Sequence, residues 1–331
     1  MGQALTTAHY LVFNLLRDQL FGKLTVTKAD LTGRTYLVTG ANSGLGLAVS
    51  VHLAQTQEKG EAAKREIIAQ TGFSGDIQIW DLDMEAFSSV VQFAERAKTS
   101  LDRLDGAIMN AGVISKEWDL TTDGWERTLQ VNSPSTGLLG VLLLPILQAT
   151  SRLAVPNPNA SPQVLPHLTF VGSGAQFRAR FTARNSPNIL QTLNTDTPII
   201  KKDRYETSKL YSLFLARAVS RLPKRKDDVH PGLVVTGIGR AFNFGSFVTA
   251  VWNLLGWTPA EGALNLLYGV LSPTPPGAYV RVCQVSEPPA WVKTTTGEEI
   301  QKRRGTSLSK FGGRFLQRWT ALSTFRVAMS F

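Results

Sequence analysis

Short apolar runs alternate with segments of helical spacing along most of the chain. The runs end in Gly, Asp or Val, and most have the buried, β-rich character of parallel strands. They predict strands over Thr35–Gly40, Asp76–Asp83, Leu104–Gly112, His167–Gly174 and Gly277–Val285. Helices are predicted over Ser43 to about Gln57, Glu58–Gln70, Phe87–Ala97, Trp125–Ala149 (broken or ended near Pro145) and Arg204–Leu222. This alternation predicts an α/β fold with a parallel sheet covered on both faces.

The composition is that of an ordinary globular chain. Of 331 residues, 43% are hydrophobic and 18% are charged, which excludes wholesale disorder and favours one large α/β domain. Cys283 is the only cysteine, so an intramolecular disulfide and a cysteine-based zinc site are excluded, and the four histidines lack metal-ligand spacing. We therefore expect no metal and a reducing, cytoplasmic setting.

The net charge of +10 is uneven, because the last 39 residues alone carry +6. In that tail, Phe311, Phe315, Trp319 and Leu322 form an apolar stripe among basic residues. Two interpretations stay open: peripheral contact with an anionic membrane, or a helix packed against the substrate pocket. Nucleic acid is not expected as a partner, since no basic groove with interleaved aromatics is evident elsewhere.

A glycine-rich segment, TGANSGLG, follows the first predicted strand and opens a helix. Such a turn lets the backbone approach a pyrophosphate, which then lies at the helix N-terminus. Glycines also occur in loops for steric reasons alone, but the strand–turn–helix context favours cofactor binding. The candidate cofactor-binding residues are Gly40, Ser43, Gly44, Leu45 and Gly46.

Tyr205 and Lys209 lie in YETSK on a predicted helix, at positions i and i+4 of one face. A phenol titrates near 10, and a neighbouring ammonium is expected to lower its pKa. Ser173 ends a strand at the sheet edge where open α/β folds bind ligands, so its hydroxyl is a candidate to hold a carbonyl oxygen. Each feature alone also fits an ordinary surface helix or a strand-ending turn.

Asn110, Ala111 and Gly112 end another strand at the same edge, where their backbone can lie against a cofactor. Asn132 lies inside a predicted helix, where asparagine is unfavourable without a specific reason. A bent helix and a solvent-facing side chain are the alternatives for that position.

Together these segments resemble the short-chain dehydrogenase/reductase family, and more closely a fungal branch related to retinol dehydrogenases and WW-domain oxidoreductases. The resemblance runs from about Gln19 to Arg304. It is carried, in order, by TGANSGLG, DLD ending at Asp83, NAG at Asn110–Gly112, LQVNS around Asn132, FVGSG around Ser173, YETSK, and Pro231, Gly232 and Thr236.

The resemblance implies a three-layer, doubly wound Rossmann-type fold that binds NAD(P)(H), with NADP(H) expected over NAD(H). It implies that Tyr205 is the acid/base, that Ser173 orients the carbonyl, and that Lys209 lowers the Tyr205 pKa and binds the nicotinamide ribose. Asn132 would support a proton-relay water. Asp83 would contact the adenine, Asn110–Gly112 the adenine-ribose side, and Thr236 would lie near the nicotinamide amide.

The expected organisation is a helical lead-in at 1–30, a Rossmann domain at 31–292 with a substrate lid at about 237–262, and the basic extension at 293–331. The aromatic residues after Thr236 suggest an apolar substrate, although core packing explains them equally well. The branch suggests secondary metabolism by association, and a homodimer is a further open expectation.

Two strands of the family pattern are not evident in the sequence. No Val/Ile-rich run separates the helix after the glycine turn from EKGEAAKREII, and Arg65 and Glu66 stand about 20 residues on, where a ribose-selecting residue is expected. LPKRKDDVHPG, before Pro231, is too charged for a buried strand. We therefore predict that the second and sixth strands are truncated or missing.

Two hypotheses on function follow. The first is an NAD(P)(H)-dependent oxidoreductase that interconverts a carbonyl and an alcohol on an apolar small molecule. The second is a degenerate, catalytically impaired member of the family that acts as a binding protein or has no function, for which the missing strands are the motive.

Overall fold

The computed structural model describes ten stretches of the chain, and for the stretch at 230–236 it describes the backbone alone. The described residues are 17–18, 21–27, 29–54, 69, 76–115, 117–158, 165–220, 230–236, 257–295 and 297–299.

A six-stranded sheet forms the centre of the described fold, with its strands ordered along the sheet as they are along the chain. The first five strands are parallel, and the last pairs antiparallel with the fifth. Their bounds are β1 Tyr36–Val38, β2 Gly106–Met109, β3 His167–Ser173, β4 His230–Thr236, β5 Tyr279–Arg281 and β6 Gln284–Ser286.

Helices cover both faces of this sheet, as the alternation of elements predicts. One face carries α1 and α7, and the other carries α2, α4 and α6. The helices are α1 Gly44–Ala54, α2 Phe87–Ser100, α3 Arg127–Gln130, α4 Thr136–Thr150, α5 Ile189–Leu193, α6 Pro198–Val219 and α7 Pro259–Leu271. The predicted α/β class with a parallel, doubly covered sheet is confirmed.

Successive residues of the central strands face the two apolar cores in turn. Met109 of β2 and Phe170 of β3 pack in the core beneath α2, α4 and α6, whereas Ile108 and Val171 pack in the core beneath α1 and α7. Every residue of β2 and β3 is buried. Burial on both faces explains why these strands are continuous apolar runs rather than alternating ones.

The predicted strand at Asp76–Asp83 is wrong, because the structure describes these residues and assigns them no strand. A strand needs a neighbouring strand to pair with. The family's second strand would lie within residues 55–75, and all of these except Ala69 are outside the described residues. The segment is instead fixed by local contacts. The Trp80 ring meets Phe93 edge-on at 5.5 Å between ring centroids, and its indole N–H donates to Gln78 over 3.0 Å.

The predicted loss of the family's sixth strand is also wrong. That strand is β4 of this structure, His230–Thr236, and it lies between β3 and β5. Its register with β3 runs from His230 opposite His167 to Thr236 opposite Ser173. The expectation failed because an apolar run was sought before Pro231. The strand instead extends past Pro231–Gly232 and uses the apolar run Leu233–Val235.

The sequence predicts that the helix around Asn132 breaks or ends near Pro145. In the structure it continues through Pro145 to Thr150. It contains a π-helical turn at Val131–Ser135, called the π-turn below, which includes Pro134. The 24 residues Arg127–Thr150 are long and apolar enough to cross a membrane, but 67% of the most apolar window is buried inside the fold. This is the position of a core helix.

The last predicted strand is a hairpin, β5 and β6, that turns at Val282 and Cys283, both with positive φ. The lead-in up to Leu16, most of the lid at 237–256 and the tail after 300 lie outside the described residues. The expectations for those segments, including the apolar stripe of the tail, stay predictions.

Candidate active site

The glycine turn lies at the carboxyl end of β1 and leads into α1. Gly40 has a φ of +66°, which glycine adopts without steric cost. A Cβ on Gly46 would lie 2.1 Å from the carbonyl oxygen of Gly40, so only glycine fits there. A Cβ on Gly44 would meet no atom within 4 Å, because that side of the turn is open. Ser43, Gly44 and Leu45 thus frame an open cradle at the N-terminus of α1.

The loop after β2 is bonded directly to this turn. The Asn110 side-chain amide donates to the carbonyl oxygens of Thr39 at 2.9 Å and Gly40 at 3.3 Å. The Ala111 backbone N–H donates to Thr39 Oγ1 over 2.9 Å. These bonds place the predicted segment Asn110–Gly112 beside the glycine turn. The sequence analysis did not single out Thr39, although its place directly before Gly40 in TG could have signalled it.

Asp83 is exposed and stands in the loop before α2. Its carboxylate accepts the Glu85 N–H at 2.8 Å, and its own N–H donates to Ser89 Oγ at 2.9 Å. Neither bond reaches another predicted site residue. The structure therefore does not connect Asp83 to the other predicted site residues, and its contact with the adenine stays a prediction.

Asn132 lies in the π-turn and is buried rather than facing solvent. Its side-chain oxygen accepts the Val113 N–H at 2.8 Å, and its amide donates to the Val113 carbonyl at 2.9 Å. The same amide donates to Ser208 Oγ at 3.0 Å, and Ser208 Oγ donates to the Tyr205 carbonyl oxygen at 2.8 Å. Asn132 therefore ties the loop after β2 to the helix that carries Tyr205. π-turns are frequent at functional sites.

Ser173, Tyr205 and Lys209 come together at the carboxyl end of β3. Ser173 hydrogen-bonds the Tyr205 side chain, and its hydroxyl oxygen also accepts the Ala175 N–H at 3.2 Å. The Lys209 ammonium lies 6.0 Å from the centroid of the Tyr205 ring and donates to the Val171 carbonyl over 3.2 Å. A Cβ on Gly112 would lie 3.2 Å from Lys209 Nζ, so the ammonium also borders the loop that lines the glycine turn.

Burial dominates the electrostatics of this cluster. It raises the pKa of Tyr205 to about 12, against the opposing effect of the Ser173 hydrogen bond; Glu206 raises that pKa further and Arg178 lowers it. Burial lowers the pKa of Lys209 to about 8. The net shift of the Tyr205 pKa is upward, because the desolvation of the phenol outweighs the lowering by Ser173 and Arg178. The expectation that Lys209 lowers this pKa stays a prediction.

Thr236 ends β4 directly opposite Ser173 in the sheet register. Its backbone therefore lies at the same sheet edge as the cluster. Its place near the nicotinamide amide stays a prediction.

Asp203, two residues before Tyr205, was not foreseen as part of the site. Its buried carboxylate accepts the Arg180 and Phe181 N–H groups at 3.0 and 2.8 Å and the Thr207 hydroxyl at 2.8 Å. It fixes the loop after Ser173 against α6. This role has no local motif, since the two backbone partners of the carboxylate are more than 20 residues away.

A cavity of about 340 Å³ is lined in part by α6, the helix that also carries Tyr205 and Lys209. An ion pair between Arg178 and Glu206, 2.9 Å apart, forms part of its wall. The remaining lining residues are Arg180, Pro198, Ile199, Lys202 and Asp203.

The described site fits a nicotinamide dinucleotide. The open glycine cradle at a helix N-terminus suits a pyrophosphate, and Gly46 has no room for a side chain. Lys209 and Asn110–Gly112 border the path from that cradle to Tyr205 and Ser173. The ammonium of Lys209 is the cation that could hold ribose hydroxyls there.

A sequence model of the short chain dehydrogenase family matches residues 34–153. Short chain dehydrogenase sol3 of Alternaria solani is 37% identical over 265 residues, which cover 76% of this chain and 89% of that protein. Short chain dehydrogenase atnD of Emericella nidulans is 34% identical over 238 residues, covering 66% of this chain and 73% of that one.

Solved structures show the same fold at low identity. An uncharacterized protein from Mycobacterium paratuberculosis aligns with a TM-score of 0.61 at 20% identity, over 88% of this chain and 98% of its own. The short chain dehydrogenase from Shigella flexneri aligns with a TM-score of 0.52 at 18% identity, over 81% of this chain and all of its own. These two likenesses concern the fold alone.

Proposed function

The chain belongs to the short-chain dehydrogenase/reductase family of NAD(P)-dependent oxidoreductases, and from that premise we propose that it interconverts a carbonyl and an alcohol on an apolar substrate. The observation that carries this proposal is the meeting of Tyr205, Ser173 and Lys209 at one sheet edge. The open glycine cradle lies at the same edge.

The hydroxyls of Ser173 and Tyr205 are hydrogen-bonded to each other and form a pair of donors for one substrate oxygen. When bound, reduced nicotinamide would supply the hydride. Ser173 then orients the carbonyl, and Tyr205 Oη donates its proton to the oxygen as negative charge develops there. Lys209, buried with its ammonium 6.0 Å from the centroid of the tyrosine ring, holds positive charge close to the phenolate that remains.

Tyr205 is the proton donor of the proposed reduction. With a pKa raised to about 12, the phenol is neutral at physiological pH and carries the proton that reduction consumes. Burial disfavours the phenolate, which reduction forms and alcohol oxidation needs, so it does not select one direction. We therefore propose interconversion of the carbonyl and the alcohol.

We propose NADP(H) as the preferred cofactor. Arg65 stands about 20 residues after the glycine turn, where dinucleotide folds place an arginine for a 2′-phosphate. Glu66, beside it, is the residue that would favour NAD(H). Titration with NADPH and NADH, in the parent and in Arg65→Gln, decides between them.

The proposed substrate is a bulky, apolar carbonyl compound of fungal secondary metabolism. Its support is the run of aromatic residues in the expected lid after Thr236. The relatives come from fungi, which supports the setting.

The test is consumption of NADPH and NADH with a panel of bulky aromatic and alicyclic ketones. We expect turnover with at least part of the panel and at least about a hundredfold loss in Ser173→Ala, because one of the two donors to the substrate oxygen is removed. Tight cofactor binding without turnover of any member would instead favour the degenerate, binding-only alternative.

A further inference from the structure

Gln176 lies one turn beyond Ser173, in the short 3₁₀ helix Gly174–Arg178 that packs on α6. Ser173 ends β3 and caps this helix with extended backbone, so Gln176 stands three residues beyond the carboxyl end of the strand. The segment is fixed at both ends. Ser173 Oγ accepts the Ala175 N–H, and Asp203 accepts the N–H groups of Arg180 and Phe181.

The Gln176 side chain is fully buried, yet its carboxamide is unsatisfied. Its relative exposure is 0%, and neither the amide nitrogen nor the amide oxygen has a hydrogen-bond partner in the part of the chain that the structure describes. Buried polar groups are almost always paired, since an unpaired donor or acceptor loses its bonds to water without replacement. Two such atoms lie on one side chain, three residues after Ser173, the proposed carbonyl-orienting residue. They therefore call for a functional explanation.

We propose that Gln176 is a specificity-determining residue whose carboxamide binds a second oxygen of the substrate, close to the carbonyl that is reduced. A carboxamide can donate to a neighbouring carbonyl oxygen and accept from a neighbouring hydroxyl. The substrate class is accordingly an oxo- or hydroxy-substituted ketone, apolar apart from those oxygens. This inference rests on the proposed function, because it places the second oxygen relative to Ser173 and Tyr205.

Stability gives a first test that needs no substrate. Gln176→Met keeps the length of the side chain and removes both unsatisfied atoms. We expect the melting temperature to stay the same or to rise by about 1–3 °C. Gln191→Met, the same exchange at an exposed position of α5, is the control and is expected to change it by less than about 1 °C. A lower melting temperature in Gln176→Met alone would show a structural partner and overturn the proposal.

Ligand discrimination gives the second test. Benzil and deoxybenzoin have similar apolar frames, but only benzil carries a second carbonyl oxygen. Their affinities are measured by calorimetry on protein saturated with the oxidised cofactor, which allows no reduction. The ratio of the two dissociation constants is expected to shift about tenfold against benzil in Gln176→Met and to stay unchanged in Gln191→Met.

An unchanged ratio in Gln176→Met, or no binding of either compound by the parent, would overturn the role of Gln176. Failure of the proposed function is separate, because it appears as bound benzil and deoxybenzoin that NADPH and NADH do not reduce. If no cofactor binds, the same titrations are made on the protein alone, and the ratio still decides the role of Gln176.

Discussion

The Asn132 side-chain amide donates a hydrogen bond to Ser208 Oγ over 3.0 Å and so ties the π-turn to the helix that carries Tyr205. Ser208 in turn donates to the Tyr205 carbonyl. The position of Tyr205, the proposed acid/base, therefore depends in part on a serine that touches no ligand in the proposed reaction. We propose that Ser208 is a positioning residue.

Ser208→Ala is expected to lower kcat about three- to tenfold while leaving KM nearly unchanged, because the hydrogen bonds that run from Asn132 through Ser208 to the Tyr205 carbonyl are lost. Ser133 and Ser212 still join the π-turn to α6. The free energy of unfolding should fall by about 1–2 kcal/mol. Ser212→Ala is the matched control, one helical turn on, where the buried hydroxyl donates to the Asn132 carbonyl over 2.9 Å. Steady-state kinetics and urea unfolding measure both variants. Equal losses of kcat in the two would contradict a specific role for Ser208.

Gly46→Ala is expected to abolish cofactor binding, because its Cβ would stand 2.1 Å from the Gly40 carbonyl oxygen and displace the turn. Gly262→Ala is the control, since its nearest neighbour would be the end of the Leu45 side chain at 3.2 Å. Alanine inside a helix gains up to about 1 kcal/mol over glycine, which offsets that contact. Calorimetric titration with NADPH compares the two. Unaltered affinity in Gly46→Ala would rule out the glycine turn as the cofactor cradle.

The buried ammonium of Lys209 makes stability depend on pH. Its pKa is lowered from 10.5 to about 8 in the folded protein, so between those values the unfolded chain binds more protons there. The free energy of unfolding therefore rises with pH across this range. From pH 8 to 10, the parent should gain about 2 kcal/mol relative to Lys209→Met, since both proteins share the titration of Tyr205. Urea unfolding of both proteins at several pH values measures this, and parallel pH curves would be the contrary result.

Glu206 and Arg178 are expected to tune Tyr205 in opposite directions. Glu206 raises the Tyr205 pKa and Arg178 lowers it. Alcohol oxidation needs the phenolate, so Glu206→Gln should speed it about two- to fivefold at pH 8, whereas Arg178→Gln should slow it by a similar factor. Each variant serves as the control of the other. Changes of kcat/KM in the same direction would show that loss of the ion pair, not charge at Tyr205, is responsible.

Local sequence motifs indicated the residues that meet at the sheet edge of the candidate site. The glycine turn, Ser173 at a strand end and the i, i+4 pair Tyr205 and Lys209 each have a signature within a few residues, and the structure brings them to one edge. The pKa of Tyr205 could not be read in this way, because it depends on how deeply the phenol is buried. Thr39, Asp203 and Ser208 were missed because their partners are distant in sequence.

The errors in the fold have a common physical origin. Residues 76–83 have the composition of a strand, but the structure assigns no strand to them, since pairing depends on a neighbour that a single segment cannot reveal. Around Pro231 the family pattern suggested where the strand should end, whereas the apolar residues Leu233–Val235 extend it further. The π-turn at Asn132 likewise has no periodic signature.

The most direct test of the central claim is NADPH-dependent ketone reduction by Tyr205→Phe, measured as kcat/KM beside Tyr268→Phe as the control. Tyr268 lies on α7 and packs, partly buried, against the core beneath α1 and α7, on the face of the sheet opposite to α6. We predict at least about a thousandfold loss in Tyr205→Phe, with NADPH still bound and the melting temperature nearly unchanged, and parent-like activity in Tyr268→Phe. Reduction that survives in Tyr205→Phe within about threefold of the parent would contradict the assignment of Tyr205 as the proton donor.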